Sequence, residues 1–150
     1  MSDYTIRRAR REDIGAIVRM LADDQLGATR DDPKDLDPYL CAFEQIDADP
    51  NQLLVVVTSD DEPVGTLQLT IIPGLARRGA LRGQVEAVRI HADHRGSGLG
   101  AELMRWAIDE SRRRGCALVQ LTSDVLRTDA HRFYERLGFL PSHTGFKLKL

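Results

Sequence analysis

One glycine-rich run constrains this chain more than any other feature: Arg95-Gly96-Ser97-Gly98-Leu99-Gly100. Before it, residues 85–90 form a mostly apolar stretch, as in a buried strand, and after it residues 99–114 carry apolar side chains at the spacing of one helical face. Glycines at a helix entrance let backbone N–H groups approach a phosphate, and the helix dipole favours its negative charge. The sequence therefore predicts a strand, a loop and a helix that bind a phosphorylated cofactor.

The rest of the chain alternates between strand and helix patterns. Strand patterns cover residues 4–8, 53–58, 63–72, 85–90, 117–121 and 146–150, and helical faces cover residues 14–21, 39–46, 99–114 and 130–137. The order β-α-α-β-β-β-α-β-α-β, with a hairpin between the second and third strands, predicts an α/β fold. We expect residues 1–150 to form a single domain, because this length and a 42% hydrophobic composition suit one compact core.

Composition excludes several classes of partner and site. No apolar run is long enough to cross a bilayer, and the first residues lack a signal pattern, so we expect a cytoplasmic protein with no membrane partner. The two cysteines have no zinc-type spacing, and we expect no metal site. Nucleic acid is also not expected, because the net charge is -2 and the basic residues are not interleaved with aromatics.

Charge is divided unevenly between the two halves of the chain. Residues 1–75 carry 7 basic and 15 acidic side chains, whereas residues 76–150 carry 14 and 8. This division fits a polyanionic cofactor on the second half and a cationic substrate near the first, although solvated surfaces also produce such a split. Six acidic residues in the polar stretch after the first helix are candidates to line an amine entrance: Asp23, Asp24, Asp31, Asp32, Asp35 and Asp37.

Two other phosphate-binding motifs compete for the glycine run. A nucleoside-triphosphate P-loop is excluded, because the chain contains no Gly-x-x-x-x-Gly-Lys-Ser/Thr. A dinucleotide fold matches better, since residues 96–101 satisfy Gly-x-Gly-x-x-Gly/Ala and Asp124 follows the next strand. Residues 91–95 nevertheless separate the first glycine from its strand, and the chain lacks the further β-α-β units of a doubly wound sheet.

Residues 88–100 resemble the acetyl-CoA signature of the GCN5-related N-acetyltransferase (GNAT) family, Arg/Gln-x-x-Gly-x-Gly/Ala after a strand, and residues 130–139 look like its second motif. The resemblance extends over essentially the whole chain and implies a mostly antiparallel central sheet with helices on both faces. Within the family, residues 121–150 are similar to the aminoalkylphosphonate N-acetyltransferase branch. Two residues depart from the common pattern: Ala92 replaces a proline, and Arg127 replaces an asparagine.

The resemblance implies that acetyl-CoA is the co-substrate. Backbone amides of the glycine run would bind its pyrophosphate, and the strand before the run would hold its pantetheine arm. The cofactor-binding residues so implied are Val88, Arg89, Ile90, Arg95, Gly96, Ser97, Gly98, Leu99, Gly100 and Arg127.

Two residues are candidates for proton transfer. Tyr134 matches the family's usual tyrosine acid, which protonates the departing thiolate, although core packing would also explain an aromatic residue there. Glu86 is the one carboxylate in the apolar stretch 85–90, where an acid is costly unless it is paired or functional. We take Glu86 as the candidate base, with a salt bridge to an arginine as the alternative.

The sequence therefore indicates an acetyltransferase that moves acetyl from acetyl-CoA to the primary amine of a small cationic or zwitterionic metabolite, by direct attack in a ternary complex. The alternative acceptors are a protein amino group and an aminoglycoside-type drug. A different class remains open, a non-catalytic acyl-CoA-binding sensor. A homodimer is possible.

Overall fold

The computed structural model describes residues 3–150 and contains one five-stranded sheet in the order β1-β2-β3-β4-β5. The antiparallel neighbours are β1 with β2, β2 with β3 and β3 with β4, whereas β4 and β5 are parallel. This topology confirms the predicted mostly antiparallel sheet and rules out a doubly wound one. The strands are β1 (Tyr4–Arg8), β2 (Gln52–Ser59), β3 (Glu62–Ile72), β4 (Leu81–Ile90) and β5 (Cys116–Leu121).

Six helical segments connect or cover these strands, and none in the described part of the chain is long and apolar enough to cross a membrane. Short 3-10 turns precede α1 and the glycine run. The segment α4 is a single turn in which two residues adopt left-handed backbone angles. The helices are α1 (Ile14–Leu21), α2 (Gly27–Arg30), α3 (Asp37–Ala48), α4 (Ala76–Gly79), α5 (Leu99–Arg113) and α6 (Thr128–Arg136).

The strand β2 shows why the sheet has a core on each face. Val55 and Val57 pack into a cluster with the fully buried Leu103 of α5, whereas Val56 packs against Val18 of α1 on the other face. Successive side chains of a strand point to opposite faces, so a run of valines suits a sheet that is covered on both sides. The predicted helices on both faces are confirmed.

The predicted final strand over residues 146–150 is wrong. This segment has no assigned strand, and Phe146 and Leu148 are 92% and 86% exposed. The alternation of apolar residues with Lys147 and Lys149 satisfies a strand pattern, but a strand also needs a partner edge and a surface for its apolar side chains. Within residues 3–150, this segment has no strand partner, and its apolar side chains are not covered by a packing surface.

Candidate active site

A cleft opens between β4 and β5 because the two strands pair over only part of their length. Their parallel pairing ends at Val85 and Leu121, and β4 continues to Ile90 with no strand partner on that side in the described part of the chain. At the same point β4 contains a bulge, where two residues lie opposite Leu67 alone and Ala87 has a φ of 55°. A bulge leaves a residue out of the ladder and increases the local twist, so backbone groups of β4 are freed at the point where its pairing with β5 ends.

The glycine run forms a tight loop at the end of this cleft. Gly96 and Gly98 have φ angles of 80° and 83°, a backbone region that side chains disfavour. A Cβ atom added at either residue would meet nothing within 4 Å, so the space beside the loop is open. The Ser97 hydroxyl donates a 2.6 Å hydrogen bond to the carbonyl of His94, which holds the loop closed on itself.

A group of backbone N–H donors lies at this loop, in residues 96–100. Among residues 3–150, no hydrogen bond is formed by these amides to a carbonyl or side-chain acceptor. They belong to the loop and the first turn of α5, where unpaired amides and the helix dipole together attract an anion. The Arg95 side chain anchors the loop, since its Nε donates to the Ile90 carbonyl at 3.1 Å and its Nη2 contacts Asp23 at 3.4 Å.

The start of α5 is fixed by close packing. Leu99 is buried in the core, and a Cβ atom on Gly100 would lie 3.4 Å from Cζ of Phe133 and 3.8 Å from Cγ1 of Ile90. Val88 and Ile90 pack partly buried against the same core. Any contact between Leu99 and a cofactor would therefore use its backbone.

Tyr134 lies in the aromatic cluster where α6 meets the core. Its ring packs edge-on against Phe133 and Phe139, with centroid distances of 5.2 and 6.0 Å. Burial raises the pKa of Tyr134 above its usual range, although the charges of Arg89 and Arg127 act in the opposite direction. Among residues 3–150, the phenolic oxygen of Tyr134 forms no hydrogen bond, but it is not one of the fully buried polar atoms that lack a partner. The hydroxyl is therefore accessible from outside and is available as a proton donor.

Arg89 and Arg127 come together with Asp24 beside this tyrosine. Arg127 forms an ion pair with Asp24, whose other oxygen accepts a hydrogen bond from the backbone of Gly27. Desolvation opposes ionisation of Asp24, but the bonds from Gly27 and Arg127 outweigh it and hold the pKa below its usual range. Burial, reinforced by the charge of Arg127, lowers the pKa of Arg89. Within residues 3–150, the side chain of Arg89 donates only to the Val88 carbonyl, at 2.9 Å.

The sequence did not indicate this cluster. Asp24 is one of six acidic residues in a polar stretch, and it lies 103 residues from Arg127 along the chain. Asp31 and Asp32 of the same stretch line an open cavity of ≈ 480 Å³, which residues 22 and 28–33 enclose. Nothing in the sequence pattern distinguishes the aspartate that pairs with arginine from those that face the cavity.

Glu86 lies on the surface and not in the buried environment that its apolar strand pattern predicts. Its side chain is exposed, opposite Gln68 of β3, and it forms no ion pair among residues 3–150. The cost of a buried carboxylate therefore does not apply, and the alternative of a salt bridge to an arginine is not observed. Its place beside the bulge at Ala87 still puts it next to the cleft.

The comparisons with known proteins agree with this geometry. A family profile described as the acetyltransferase (GNAT) family matches residues 15–139. A crystal structure described as a transcriptional regulator from Bacillus halodurans C-125 is 44% identical, with a TM-score of 0.94 over 98% of this chain and 99% of that one.

Two curated relatives are enzymes. An aminoalkylphosphonate N-acetyltransferase of Salmonella typhimurium is 33% identical over 98 residues, which is 65% of this chain and 63% of the relative. A glucosamine 6-phosphate N-acetyltransferase of Trypanosoma brucei brucei is 36% identical over 87 residues, 58% and 57% of the two chains. The chain therefore spans less than two thirds of the length of each of these relatives.

Proposed function

Since the chain belongs to the acetyltransferase (GNAT) family, we propose that it transfers an acetyl group from acetyl-CoA to the primary amine of a small cationic or zwitterionic molecule. The observation that carries this proposal is the glycine loop with unpaired amides at the mouth of the cleft between β4 and β5. Two curated relatives that act on small amines support the choice of acceptor class.

The chain offers matching groups for each part of acetyl-CoA. Amides of residues 96–100 would hold the pyrophosphate, and Arg95 would keep the loop in place. The unpaired side of β4 from Val88 to Ile90 would bind the pantetheine amides as an added strand does. When bound, acetyl-CoA supplies an acetyl thioester and a thiolate leaving group. Arg127 pairs with Asp24 through Nη1, and its Nη2 has no partner among residues 3–150, so we assign this side chain to the acceptor side.

Residues at the bulge and on α6 would then bind the oxyanion and transfer the protons of the reaction. The amine nitrogen attacks the thioester carbonyl, and a backbone N–H near Val88 donates to the developing oxyanion. Before the attack, Glu86 accepts a proton from the bound ammonium, directly or through water, so that the nitrogen is a neutral amine. As the C–S bond breaks, Tyr134 gives its phenolic proton to the sulfur and regains a proton from the nitrogen that becomes the amide.

The test of this function is release of CoA from acetyl-CoA, detected as free thiol, in the presence of a panel of amines. The panel contains diamines, amino acids, aminoalkylphosphonates, amino sugars, an aminoglycoside and a peptide with a free N-terminus. We expect at least one small amine to stimulate release and to gain an acetyl group by mass spectrometry. If only the peptide or only the aminoglycoside stimulates CoA release, that compound's class is the acceptor and the proposed class is wrong.

A second candidate function is a non-catalytic acyl-CoA sensor. The observation in its favour is the description of the 44% identical structure from Bacillus halodurans as a transcriptional regulator. The protonated phenol of Tyr134 favours catalysis instead, because a sensor needs no proton donor at the thioester. Tight acetyl-CoA binding without turnover on any amine of the panel would support the sensor.

Replacing Gly98 with alanine is expected to weaken cofactor binding. Its φ of 83° costs an L-residue about 1–2 kcal/mol, so the KM for acetyl-CoA should rise about tenfold while kcat is retained. The matched control is Gly115→Ala, at the other end of α5, where φ is also 83° and the added Cβ also meets nothing within 4 Å. Equal effects of the two variants on KM would mean that the glycine loop does not bind the cofactor.

Replacing Glu86 with glutamine is expected to remove the acidic limb of the pH–rate profile. A general base must lose its proton to act, and its loss typically lowers turnover about 10²-fold or more. Because Glu86 is exposed, the variant should unfold at the same denaturant concentration as the parent. Glu62→Gln, in the exposed first residue of β3, serves as the control. An acidic limb that persists in Glu86→Gln would assign the base to another group or to water.

We also propose that the chain forms a homodimer through residues 146–150. In residues 3–150 the sheet ends at β5, and the apolar side chains of Phe146, Leu148 and Leu150 are exposed. A free sheet edge and an alternating apolar segment are complementary, so each copy can add this segment to the edge of the other.

Light scattering on the purified protein should then give about twice the chain mass of 16.8 kDa. The double variant Phe146→Glu, Leu148→Glu should shift the mass to that of one chain. The control is Leu75→Glu, which changes a side chain that is 97% exposed elsewhere on the surface. A parent protein that is monomeric at all concentrations would refute the dimer.

A further inference from the structure

Two guanidinium groups beside Tyr134 share a single carboxylate. Within residues 3–150, the only buried side-chain nitrogen or oxygen atoms without a hydrogen-bond partner are Nε of Arg89 and Nη2 of Arg127. Of the two arginines, only Arg127 contacts Asp24, and within residues 3–150 Arg89 donates a hydrogen bond only to a backbone carbonyl. A buried N–H donor that lacks an acceptor is costly, and a buried charge that lacks a counter-charge is more so.

The surrounding acidic groups do not supply the missing acceptor. Asp31 accepts a hydrogen bond from the Tyr39 hydroxyl at 3.0 Å, and Asp124 is paired with Arg30 at 2.7 Å. Both lie at the edge of the cluster and contact neither unpartnered nitrogen. Two buried N–H donors therefore remain without an acceptor among residues 3–150, and both are positioned to donate to an anion that enters from outside.

We propose that Arg89 and Arg127 bind an acidic group of the acceptor, so that the acceptor is an amine that also carries a carboxylate, phosphonate or phosphate. The planar guanidinium fork suits the paired oxygens of such groups and binds them more strongly than neutral donors do. Since Tyr134 lies within reach of both arginine charges, the acid group is held beside the position of the thioester. The inference rests on the proposed function and selects zwitterionic acceptors over purely cationic ones.

The phosphates of acetyl-CoA are the other anions that could occupy the pair. The unpaired amides of residues 96–100 already provide for them, at the opposite end of the β4 overhang from the bulge. Along that overhang, Val88 and Ile90 pack against the core under α5, so the alternation of the strand directs Arg89 to the other face. The arginine pair and the glycine loop are therefore separate sites.

Matched acceptors test the proposal in the acetylation assay. 2-Aminoethylphosphonate and β-alanine should give kcat/KM values at least about 100-fold above those of propylamine and ethylenediamine, because two charged contacts are lost without the acid. Arg89→Gln and Arg127→Gln should raise the KM for the acidic amines at least about tenfold and leave the KM for acetyl-CoA unchanged. The control Arg30→Gln removes a half-exposed guanidinium at the end of the neighbouring helix α2 and should change neither constant.

A binding measurement keeps the inference separate from the proposed function. Methylphosphonate, which has no amine, is titrated by calorimetry into protein saturated with CoA. We expect binding to the parent and to Arg30→Gln, and at least about tenfold weaker binding to Arg89→Gln and Arg127→Gln. Each variant is first shown to keep the melting temperature of the parent within a few degrees. If the protein binds methylphosphonate but acetylates no amine, the proposed function is refuted and the proposed anion site is supported.

Two results would overturn the inference. One is methylphosphonate binding that is absent from the parent, or unchanged in both arginine variants. The other is a rise in the KM for acetyl-CoA, without a change for the acceptor, in Arg89→Gln and Arg127→Gln. The first would make the pair a structural feature of the fold, and the second would assign it to the phosphates of the cofactor.

Discussion

Replacing Tyr134 with phenylalanine is expected to lower kcat about a hundredfold, because a positioned general acid typically contributes 10²–10⁴-fold to a reaction rate. The phenol keeps its proton at neutral pH, since burial raises its pKa, and the hydroxyl reaches accessible space. The ring packs against Phe133 and Phe139, and phenylalanine preserves these contacts. The KM for acetyl-CoA and the melting temperature should therefore stay near the parent values.

The control for this prediction is Tyr4→Phe. It removes a phenol of β1, at the opposite edge of the sheet from β5, that contacts Nδ1 of His94 at 3.1 Å, and kcat should remain within about twofold. If Tyr134→Phe retains full turnover, then Tyr134 is a packing residue, and the leaving thiolate receives its proton from water or from the acceptor.

Replacing Asp13 with alanine is expected to destabilise the fold by about 3 kcal/mol, at the lower end of the cost of breaking a buried ion pair, because Arg7 is still 23% exposed. Asp13 is 4% exposed, and both its oxygens accept from Arg7, at 2.7 and 3.0 Å. One of them also accepts from the backbone of Arg10 at 2.7 Å. These bonds tie β1 to the turn before α1. Urea unfolding at pH 7 measures the loss.

The contribution of Asp13 should also depend on pH. Desolvation opposes its ionisation, but the bonds from Arg7 and Arg10 outweigh it and hold the pKa of Asp13 below its usual range. A lowered pKa in the folded state stabilises the fold above the unfolded pKa of about 3.9, and that stabilisation is lost as the pH falls through the folded pKa. The difference between the parent and Asp13→Ala should therefore shrink below about pH 4.

An exposed ion pair provides the comparison. Asp109 lies 3.2 Å from Arg112 on the surface of α5, with both side chains about three quarters exposed. Its replacement with alanine should change stability by less than about 1 kcal/mol at pH 7. If Asp13→Ala and Asp109→Ala lower the free energy of unfolding equally, then burial of the Asp13–Arg7 pair does not strengthen its contribution to stability.

The elements that the sequence predicted well depend on local signals. The helix after the glycine run was expected over residues 99–114 and is observed at Leu99–Arg113, because its apolar spacing and its flanking glycines are readable within that segment. The positive φ angles of Gly96 and Gly98 likewise follow from glycine itself. The prediction of a strand over residues 146–150 is wrong because a strand needs a neighbouring strand to pair with, and the local sequence does not specify one.

The sequence by itself determined the order of the five strands and the four longer helices, the glycine loop and the GNAT membership, since these depend on periodicity and backbone freedom along short stretches. Only the tertiary structure decided the shape of the site. The pairing of β4 with β5 ends at Val85, next to the bulge at Ala87, and the packing of distant segments leaves Glu86 exposed while it partly buries Arg89. The pairing of Asp24 with Arg127 joins parts of the chain 103 residues apart, because electrostatic contacts depend on distance in space and not along the sequence.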